Sequence, residues 1–401
     1  MRVLISGASI AGPVLAYWLT RYGFTVTVVE KAPGLRKTGG HAVDLFTPSM
    51  TISEQMGVLP QILELATATD QMTIHTRRRT VGLNLAKLFS ATSDRHVEIM
   101  RDDLSEIYYG ATENDVEYLF GDSITDISED GRVGFENGPE RVFDLVIGAD
   151  GLRSNVRRLI FGEVAEHYLG GYFAVISAPR ELADVGEFVS YLDIGRVTGI
   201  YTAEHLPDAR LTFLFRADQP LDYHHRDVSR QKELIREAFT SIAPQVDRWL
   251  TELDHTPAFY FDSITQLRTD HWSRGRVTLV GDAAYCPGPA VGGSTSLAVL
   301  GAYTLAGELA AAQGDHIIAF PAYEAAMADS VAGSRAFALR TAKTIVPASA
   351  TGVWALTQGA RLINALPAAL SRAVAKLNTR GIRLHDSMTV PDYTTRIRGD
   401  G

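Results

Sequence analysis

The first thirty residues constrain the fold of this chain most. A short apolar run, Val3–Ile5, precedes a stretch with helical spacing, Pro13–Tyr22, and then a second apolar and β-branched run, Phe24–Val29. Apolar residues that recur every three to four positions indicate a helix, whereas short β-branched runs indicate strands. Two strands joined by a crossover helix predict a βαβ unit and therefore a parallel sheet.

The turn inside this unit has the residues of a dinucleotide-binding site. It reads Gly7-Ala8-Ser9-Ile10-Ala11-Gly12, and Glu30 closes the second strand. Small residues here let backbone N–H groups at the helix start reach a pyrophosphate, and the terminal acid can accept hydrogen bonds from ribose hydroxyls. Ser9 replaces the middle glycine of the usual pattern. A chance loop or a nicotinamide-dependent dehydrogenase therefore remains open on this motif alone.

A second turn, Asp150-Gly151-Leu152-Arg153-Ser154-Asn155-Val156-Arg157, follows the apolar strand Val146–Gly148. It predicts backbone amides and Arg157 near a second face of the pyrophosphate, although an ordinary capping turn has the same residues.

A third turn, Gly281-Asp282-Ala283-Ala284, follows the apolar strand Arg276–Val280 and leads into a loop rich in proline and glycine. Asp282 can bind a polyol hydroxyl, and the start of the next helix, predicted at Leu297–Ala312, can stabilise negative charge on a reduced ring. A helix N-cap followed by a rigid proline loop is the alternative.

The three turns, in this order, resemble the para-hydroxybenzoate hydroxylase group of single-component, FAD-dependent aromatic hydroxylases over roughly residues 1–345. The loop from Arg36 to Leu45 looks like that of tetracycline-inactivating and polyketide-tailoring members. The resemblance implies bound FAD, transient NAD(P)H and O2, and hydroxylation of an aromatic or polycyclic, secondary-metabolite-like substrate through a flavin hydroperoxide. Baeyer-Villiger insertion, a non-oxygenating reductase or cyclase, and a protein that only sequesters an aromatic ligand stay open. A flavin-dependent halogenase is disfavoured because no Trp-x-Trp occurs.

The resemblance also implies the binding residues. It implies that the first turn binds the ADP half of FAD, with Lys31 beside the adenosine, and that Arg36 lies near the nicotinamide cofactor. The full set of implied cofactor contacts is Gly7, Ser9, Ile10, Ala11, Gly12, Glu30, Lys31, Arg36, Asp44, Arg101, Asp150, Gly151, Asp282, Pro289, Val291, Gly292 and Gly293. The family's apolar residue and asparagine after the glycines are absent here, where the chain reads Gly292-Gly293-Ser294-Thr295-Ser296.

Because the flavin carries the chemistry, no catalytic side chain is expected. The candidates for a general base, Tyr191, Tyr201 and His205, fit packing or surface positions better. His41 either faces the substrate or lies in a solvated loop, and Cys286 is expected to be a small buried residue rather than a reactive thiol. The eleven histidines lack metal-ligand spacing, so no metal site is predicted.

The pattern of apolar and polar residues along the chain predicts an α/β protein with two domains and C-terminal helices. A Rossmann-like FAD-binding domain is expected from residues 1–70, 95–165 and 268–345. A hairpin is expected at Met72–His75 and Val81–Leu88, within the second domain. A substrate-binding domain with an antiparallel sheet is expected from residues 71–94 and 166–267, where side chains alternate with a period of two. Residues 346–401 are expected to be helical.

Composition excludes several other classes. The chain has 401 residues, 46% of them hydrophobic, and a net charge of −9, which favours a folded protein and disfavours nucleic-acid binding. One cysteine allows no internal disulfide, so a cytoplasmic protein is expected. Residues 344–360 are uncharged but broken by Pro347 and glycines, so no membrane span is predicted. A monomer or homodimer is expected.

Overall fold

The computed structural model describes residues 1–35, 40–90, 93, 95–290, 293–365 and 384–393. Its first sheet has six strands, numbered along the chain and running across the sheet as β17 (Ser273–Arg274), β18 (Val277–Leu279), β11 (Leu145–Gly148), β1 (Arg2–Ser6), β2 (Thr25–Glu30) and β7 (Glu117–Phe120). All neighbouring strands are parallel except β17 and β18. The predicted βαβ opening is therefore confirmed, and β1 occupies the interior of the sheet.

Helices pack on this sheet and enclose the largest apolar core of the described chain. Those belonging to this part of the fold are α1 (Ala11–Arg21), α2 (Thr47–Gln55), α3 (Leu59–Glu64), α5 (Arg101–Gly110), α6 (Asn155–Phe161), α9 (Asp282–Tyr285), α10 (Ser294–Ala311) and α11 (His316–Thr344). Helix α10 is buried almost all round, as expected for an apolar helix in the interior. Helix α1 lies against it.

The second sheet has seven strands, in the order β16 (Phe259–Leu267), β12 (Glu166–Ala178), β15 (Ala209–Arg216), β14 (Arg196–Tyr201), β13 (Glu187–Asp193), β4 (Gln71–His75) and β5 (Thr80–Asn84). Neighbours are antiparallel apart from β13 and β4, which run parallel. The hairpin β4–β5 thus joins strands more than a hundred residues downstream. Two smaller sheets pair β3 (Ala42–Leu45) with β6 (Val97–Met100) and β8 (Ile124–Ile127), β9 (Arg132–Phe135) and β10 (Arg141–Val142) with one another.

Helices cover both faces of the second sheet. On one face, α7 (Val228–Phe239) and α8 (Pro244–Thr251) bury Phe239 and Trp249 against the strands. On the other face, α11 places Ala338 and Ala342 against Phe173 and Val175 of β12. This second face is turned toward the first sheet, because Ala290 of the third turn packs in the same cluster.

Two further helices complete the described chain, α4 (Leu85–Ser90) and α12 (Ala350–Ala365), with short 3-10 turns at Arg180–Leu182 and Glu252–Asp254. The extended character expected for residues 81–88 is wrong beyond Asn84, because the chain turns into α4 there. Among the described helices, none combines the length and apolar character that a membrane span needs.

Residues 384–393 pack back onto the first domain. The Tyr393 hydroxyl donates to Glu308 of α10 at 2.7 Å, and the Tyr303 hydroxyl donates to the carbonyl of Pro391 at 3.0 Å. Asp386 accepts from the backbone N–H of Thr47 at the start of α2. The sequence predicts helix throughout residues 346–401, but this terminal stretch serves mainly to cover α2 and α10. The domain boundaries themselves stay a prediction.

Candidate functional site

The first turn is tight because backbone atoms approach where a side chain would otherwise stand. Gly7 has φ +109°, and a Cβ atom there would lie 2.5 Å from the carbonyl oxygen of Ala149, beside the second turn. A Cβ atom at Gly12 would lie 1.9 Å from the carbonyl oxygen of Gly7. Glycine at both positions therefore lets α1 begin directly against the end of β1.

The start of α1 leaves its backbone donors free for an anion. No side chain caps this helix at Ile10, and its first turn carries no acidic residue. Unpaired N–H groups and the helix dipole make such an end favourable for a phosphate. Glu30, at the end of β2, accepts from the N–H groups of Ala8 at 3.0 Å and Ala32 at 2.9 Å, which fixes its carboxylate beside the turn.

The second turn is a helix cap that also braces the third. The carboxylate of Asp150 accepts from the N–H groups of Asn155 and Val156 at 2.8 and 3.1 Å, at the start of α6. Arg157 is buried, and its guanidinium donates to the carbonyls of Leu152 and Ala283. The structure therefore differs from the expectation that Arg157 lies open to a pyrophosphate, because these carbonyls take up its donors.

The third turn reaches the first one. Gly281 has φ +66°, and a Cβ atom there would lie 3.3 Å from the Cβ of Ala11. Asp282 follows directly and begins α9, and the Cys286 thiol at the end of this short helix donates to the carbonyl of Thr265 at 3.9 Å. Removal from water raises the pKa of Asp282, and the Arg101 guanidinium opposes that rise. The predicted convergence of the three turns is thus present in the structure.

Arg101 connects the first and third turns. It begins α5, and its Nη2 donates to the Oγ of Ser9 at 3.2 Å. Its positive charge also lowers the pKa of Asp282 and that of His41. A cation here suits negative charge on a bound cofactor.

The helix after the third turn, α10, starts at a second uncapped N-terminus. Gly293 precedes it with φ +82°, and no side chain caps the helix there. A Cβ atom at Gly293 would lie 2.0 Å from Nε2 of His385, so the C-terminal stretch packs directly on this loop. The His385 Nε2 is itself hydrogen bonded to the Ser334 hydroxyl at 2.9 Å.

The remaining predicted contacts are more scattered. Asp44 lies on β3 in an ion pair with His96 at 2.7 Å, and its cross-strand partner is Glu98. Lys31 is exposed, Gly151 has φ +78°, and Pro289 is partly exposed in the third loop. Arg36, Val291 and Gly292 lie outside the described residues.

The three candidate bases occupy structural positions. Tyr191 packs edge-on against Trp249. The Tyr201 hydroxyl accepts from the N–H of Ala42 at 2.8 Å, and His205 forms an ion pair with Asp103. The interpretation of these residues as packing or surface groups therefore fits the structure better than a role as base.

Sequence reasoning missed the aromatic wall above the turns. Phe173 and Tyr260 lie on neighbouring strands, β12 and β16, and their rings are 6.1 Å apart. Together with Ala290 and α11 they line the face of the second sheet that looks toward the first. The alternation of side chains indicated a sheet, but which of its faces meets the turns depends on the packing of the two domains.

Sequence reasoning also missed a pair of arginines, Arg268 and Arg335, next to the loop that follows the third turn. Among the described residues, Nε and Nη2 of Arg335 on α11 are buried and have no hydrogen-bond partner. Burial and the neighbouring charge of Arg268 lower the pKa of Arg335. Gln266 joins this pair to the loop: its Nε2 donates to the carbonyls of Pro287 and Arg335, and its Oε1 accepts from Arg268.

The class of protein follows from this geometry. Three turns of a parallel sheet meet at an uncapped helix start, and a largely antiparallel sheet faces them, which is the architecture of a dinucleotide-binding α/β protein. A family model described as "FAD binding domain" matches residues 1–316. The chain belongs to this family of flavoproteins, which includes the para-hydroxybenzoate hydroxylase-like enzymes, and the predicted resemblance is confirmed.

Relatives extend over most of the chain. An uncharacterised protein of Mycobacterium tuberculosis is 41% identical over 338 residues, covering 80% of this chain and 88% of the relative. A flavin-dependent monooxygenase of Legionella longbeachae is 34% identical over 348 residues, covering 84% of this chain and 87% of the relative. The crystal structure of tetracycline destructase Tet(55) matches with a TM-score of 0.82 at 30% identity, covering 98% of both chains. The chain is therefore an oxidoreductase of the flavin-dependent monooxygenase type.

Proposed function

We propose that this chain is an FAD-dependent monooxygenase that consumes NAD(P)H and O2 and oxygenates an aromatic or polycyclic small molecule. The convergence of the three turns at one point carries the proposal, because a single elongated cofactor can contact all of them. Family membership supports the flavin. The use of NAD(P)H, the transfer of oxygen and the substrate class do not follow from family membership and are part of the proposal.

The donor groups present fit FAD. The uncapped amides at the start of α1 suit the pyrophosphate, Glu30 suits the adenosine ribose, and Asp282 suits the ribityl hydroxyls. The uncapped start of α10 behind Gly293 suits the ring system. The carboxylate of Asp150 is largely occupied, since it caps α6.

FAD, when bound, supplies the redox chemistry, activating dioxygen so that one oxygen atom reaches the substrate. The protein contributes binding, orientation and exclusion of water. Phe173 and Tyr260 offer an aromatic wall against which a planar substrate can pack, and α11 closes the face behind them. Arg101 holds positive charge beside the third turn, where the negative charge of a reduced cofactor is favourable.

NAD(P)H would dock at the Arg335–Arg268 pair. Two guanidinium groups close together repel each other, and the buried donors of Arg335 remain unsatisfied among the described residues. A phosphate would relieve both costs, since it brings negative charge and acceptor oxygens. Because Gln266 connects this pair to the third loop, a dinucleotide held there would lie next to the proposed flavin site.

The similarity to a tetracycline destructase supports a polycyclic substrate. A panel of phenolic, tetracycline and polyketide-like compounds should reveal one that stimulates NAD(P)H oxidation, and the product should gain the mass of one oxygen atom. Stimulated oxidation without oxygen incorporation would instead favour a reductase or cyclase. Protein that neither purifies with flavin nor takes it up would refute the proposal. A cytoplasmic location and a monomeric or homodimeric state stay predictions.

A further inference from the structure

The backbone around His41 is fixed by contacts from both domains. The N–H of Gly40 donates to the Asp102 carboxylate at 2.8 Å, and its carbonyl accepts from Nε of Arg210 at 2.9 Å. The N–H of Arg101 donates to the carbonyl of His41 at 3.1 Å, and that of Ala42 donates to the Tyr201 hydroxyl. Four hydrogen bonds to α5 and to the second sheet therefore hold three consecutive residues in place.

Gly40 lets the backbone approach the carboxylate of Asp102 closely. A Cβ atom at this position would lie 2.5 Å from a carboxylate oxygen of Asp102. The close approach of the chain to α5 sets the direction in which the next side chain, His41, leaves the backbone. An imidazole held by such a rigid segment is pre-organised, and a pre-organised group loses little freedom when it binds a ligand.

The His41 ring lies at the aromatic wall. Its centroid is 5.2 Å from that of Phe173, edge to face, and 6.1 Å from that of Tyr260. Both partners belong to the face of the second sheet that looks toward the three turns. His41 is partly exposed, and no hydrogen bond joins its ring nitrogens to another described residue.

The surroundings keep this imidazole neutral. Burial lowers the pKa of His41 to about 4, the Arg101 guanidinium lowers it as well, and Asp44 acts in the opposite sense. The charged groups that bear on the pKa of His41 are thus Arg101 of α5 and Asp44 of β3. A neutral imidazole has one nitrogen that donates and one that accepts a hydrogen bond.

We propose that His41 binds the hydroxyl group of a phenolic or enolic substrate and so selects hydroxylated aromatic molecules at the aromatic wall. The inference rests on the proposed function and adds to it the residue that recognises the substrate hydroxyl. A neutral imidazole beside an arginine suits a hydroxyl, because it can accept the hydroxyl hydrogen without carrying a charge of its own. It would give little advantage to an ether of the same shape, which has no hydrogen to donate.

Two variants separate hydrogen bonding from packing. His41→Phe keeps an aromatic ring against Phe173 and Tyr260 but removes both nitrogens. His41→Asn keeps a donor and an acceptor but removes the ring. His75→Phe is the matched control, because His75 is also stacked on an aromatic ring, that of Tyr191, on β4 of the same sheet.

The test measures binding of 1-naphthol and its methyl ether to flavin-loaded protein by titration calorimetry. Wild-type protein and His75→Phe should bind the phenol about tenfold more tightly than the ether, the size of one hydrogen bond. His41→Phe should bind both compounds equally, and His41→Asn should retain part of the preference. Equal binding by wild-type protein, failure to bind either compound, or an unchanged preference in His41→Phe would overturn the inference.

A second readout separates this inference from the proposed function. Flavin content should be unchanged in both His41 variants, and NAD(P)H oxidation without substrate should be unchanged in the His75→Phe control, since neither depends on the substrate hydroxyl. If the preference disappears in His41→Phe but no compound is oxygenated by the wild-type protein, only the monooxygenase proposal fails. If a phenol is oxygenated equally well by wild-type protein and His41→Phe, with the same KM, only the role of His41 fails.

Discussion

Replacing Gly12 by alanine tests the geometry on which the cofactor site depends. The added Cβ atom would lie 1.9 Å from the carbonyl oxygen of Gly7, a backbone atom that cannot rotate away. Turn and helix would have to separate by about 1 Å, and overpacking of this kind typically costs about 1–3 kcal/mol. The same displacement moves the amides at the start of α1 away from the position where a pyrophosphate fits.

We therefore expect Gly12→Ala protein to unfold several degrees below the wild type and to bind FAD at least about tenfold more weakly. Thermal unfolding with and without added FAD measures the first effect, and flavin absorbance per protein after gel filtration measures the second. The added flavin should raise the unfolding temperature of the wild type more than that of the variant, because the stabilisation follows the affinity.

Gly110→Ala is the matched control. Gly110 also lies in a helix, at the end of α5, but it is exposed and a Cβ atom there meets nothing within 4 Å. Alanine at such a site is neutral or stabilises by up to about 1 kcal/mol. If Gly12→Ala protein retained the full flavin complement and the unfolding temperature of this control, the assigned role of the first turn would be wrong.

Three further predictions test separate parts of the site. Asp282→Ala protein should purify with little flavin, as judged by its visible spectrum, and full retention would contradict the contact assigned to the ribityl chain. Glu98→Gln should raise the unfolding temperature at pH 8 and leave it nearly unchanged at pH 4. The reason is that burial and the nearby Asp44 raise the pKa of Glu98 to about 7. The folded wild type therefore binds more protons than the unfolded chain between about pH 4.5 and 7, and it loses stability as the pH rises through that range. An equal effect of the substitution at both pH values would refute this explanation. Arg335→Met should raise the KM for NAD(P)H and also raise the unfolding temperature, because it removes buried unpaired donors, whereas Arg340→Met on the exposed side of the same helix should change neither.

Local patterns in the sequence were sufficient for the framework of the cofactor site. The spacing of apolar residues marked β1, α1 and β2, and glycines marked the tight turns, because both signals depend on neighbours within a few positions. The order of three turns after apolar strands then indicated the family. These features are local, so they can be read without knowledge of the tertiary structure.

Other assignments depended on contacts between distant residues. The sequence suggested that Arg157 approaches a phosphate, but the carbonyls of Leu152 and Ala283 bind it because the second and third turns meet. Extended structure ends at Asn84, where α4 begins, and the pairing of β4 with β13 joins segments more than a hundred residues apart. Neither outcome is encoded in a short window of sequence.

The sequence by itself determined the βαβ opening, the positions of the three turns and the cofactor class that they suit. Only the tertiary structure decided which groups surround the space between the two sheets. The position of His41 against Phe173 and Tyr260, and the unpaired donors of Arg335 beside the third loop, arise where strands and helices from separate parts of the chain pack together. Burial and neighbouring charge exist only after that packing, and they decide what each of these side chains can bind.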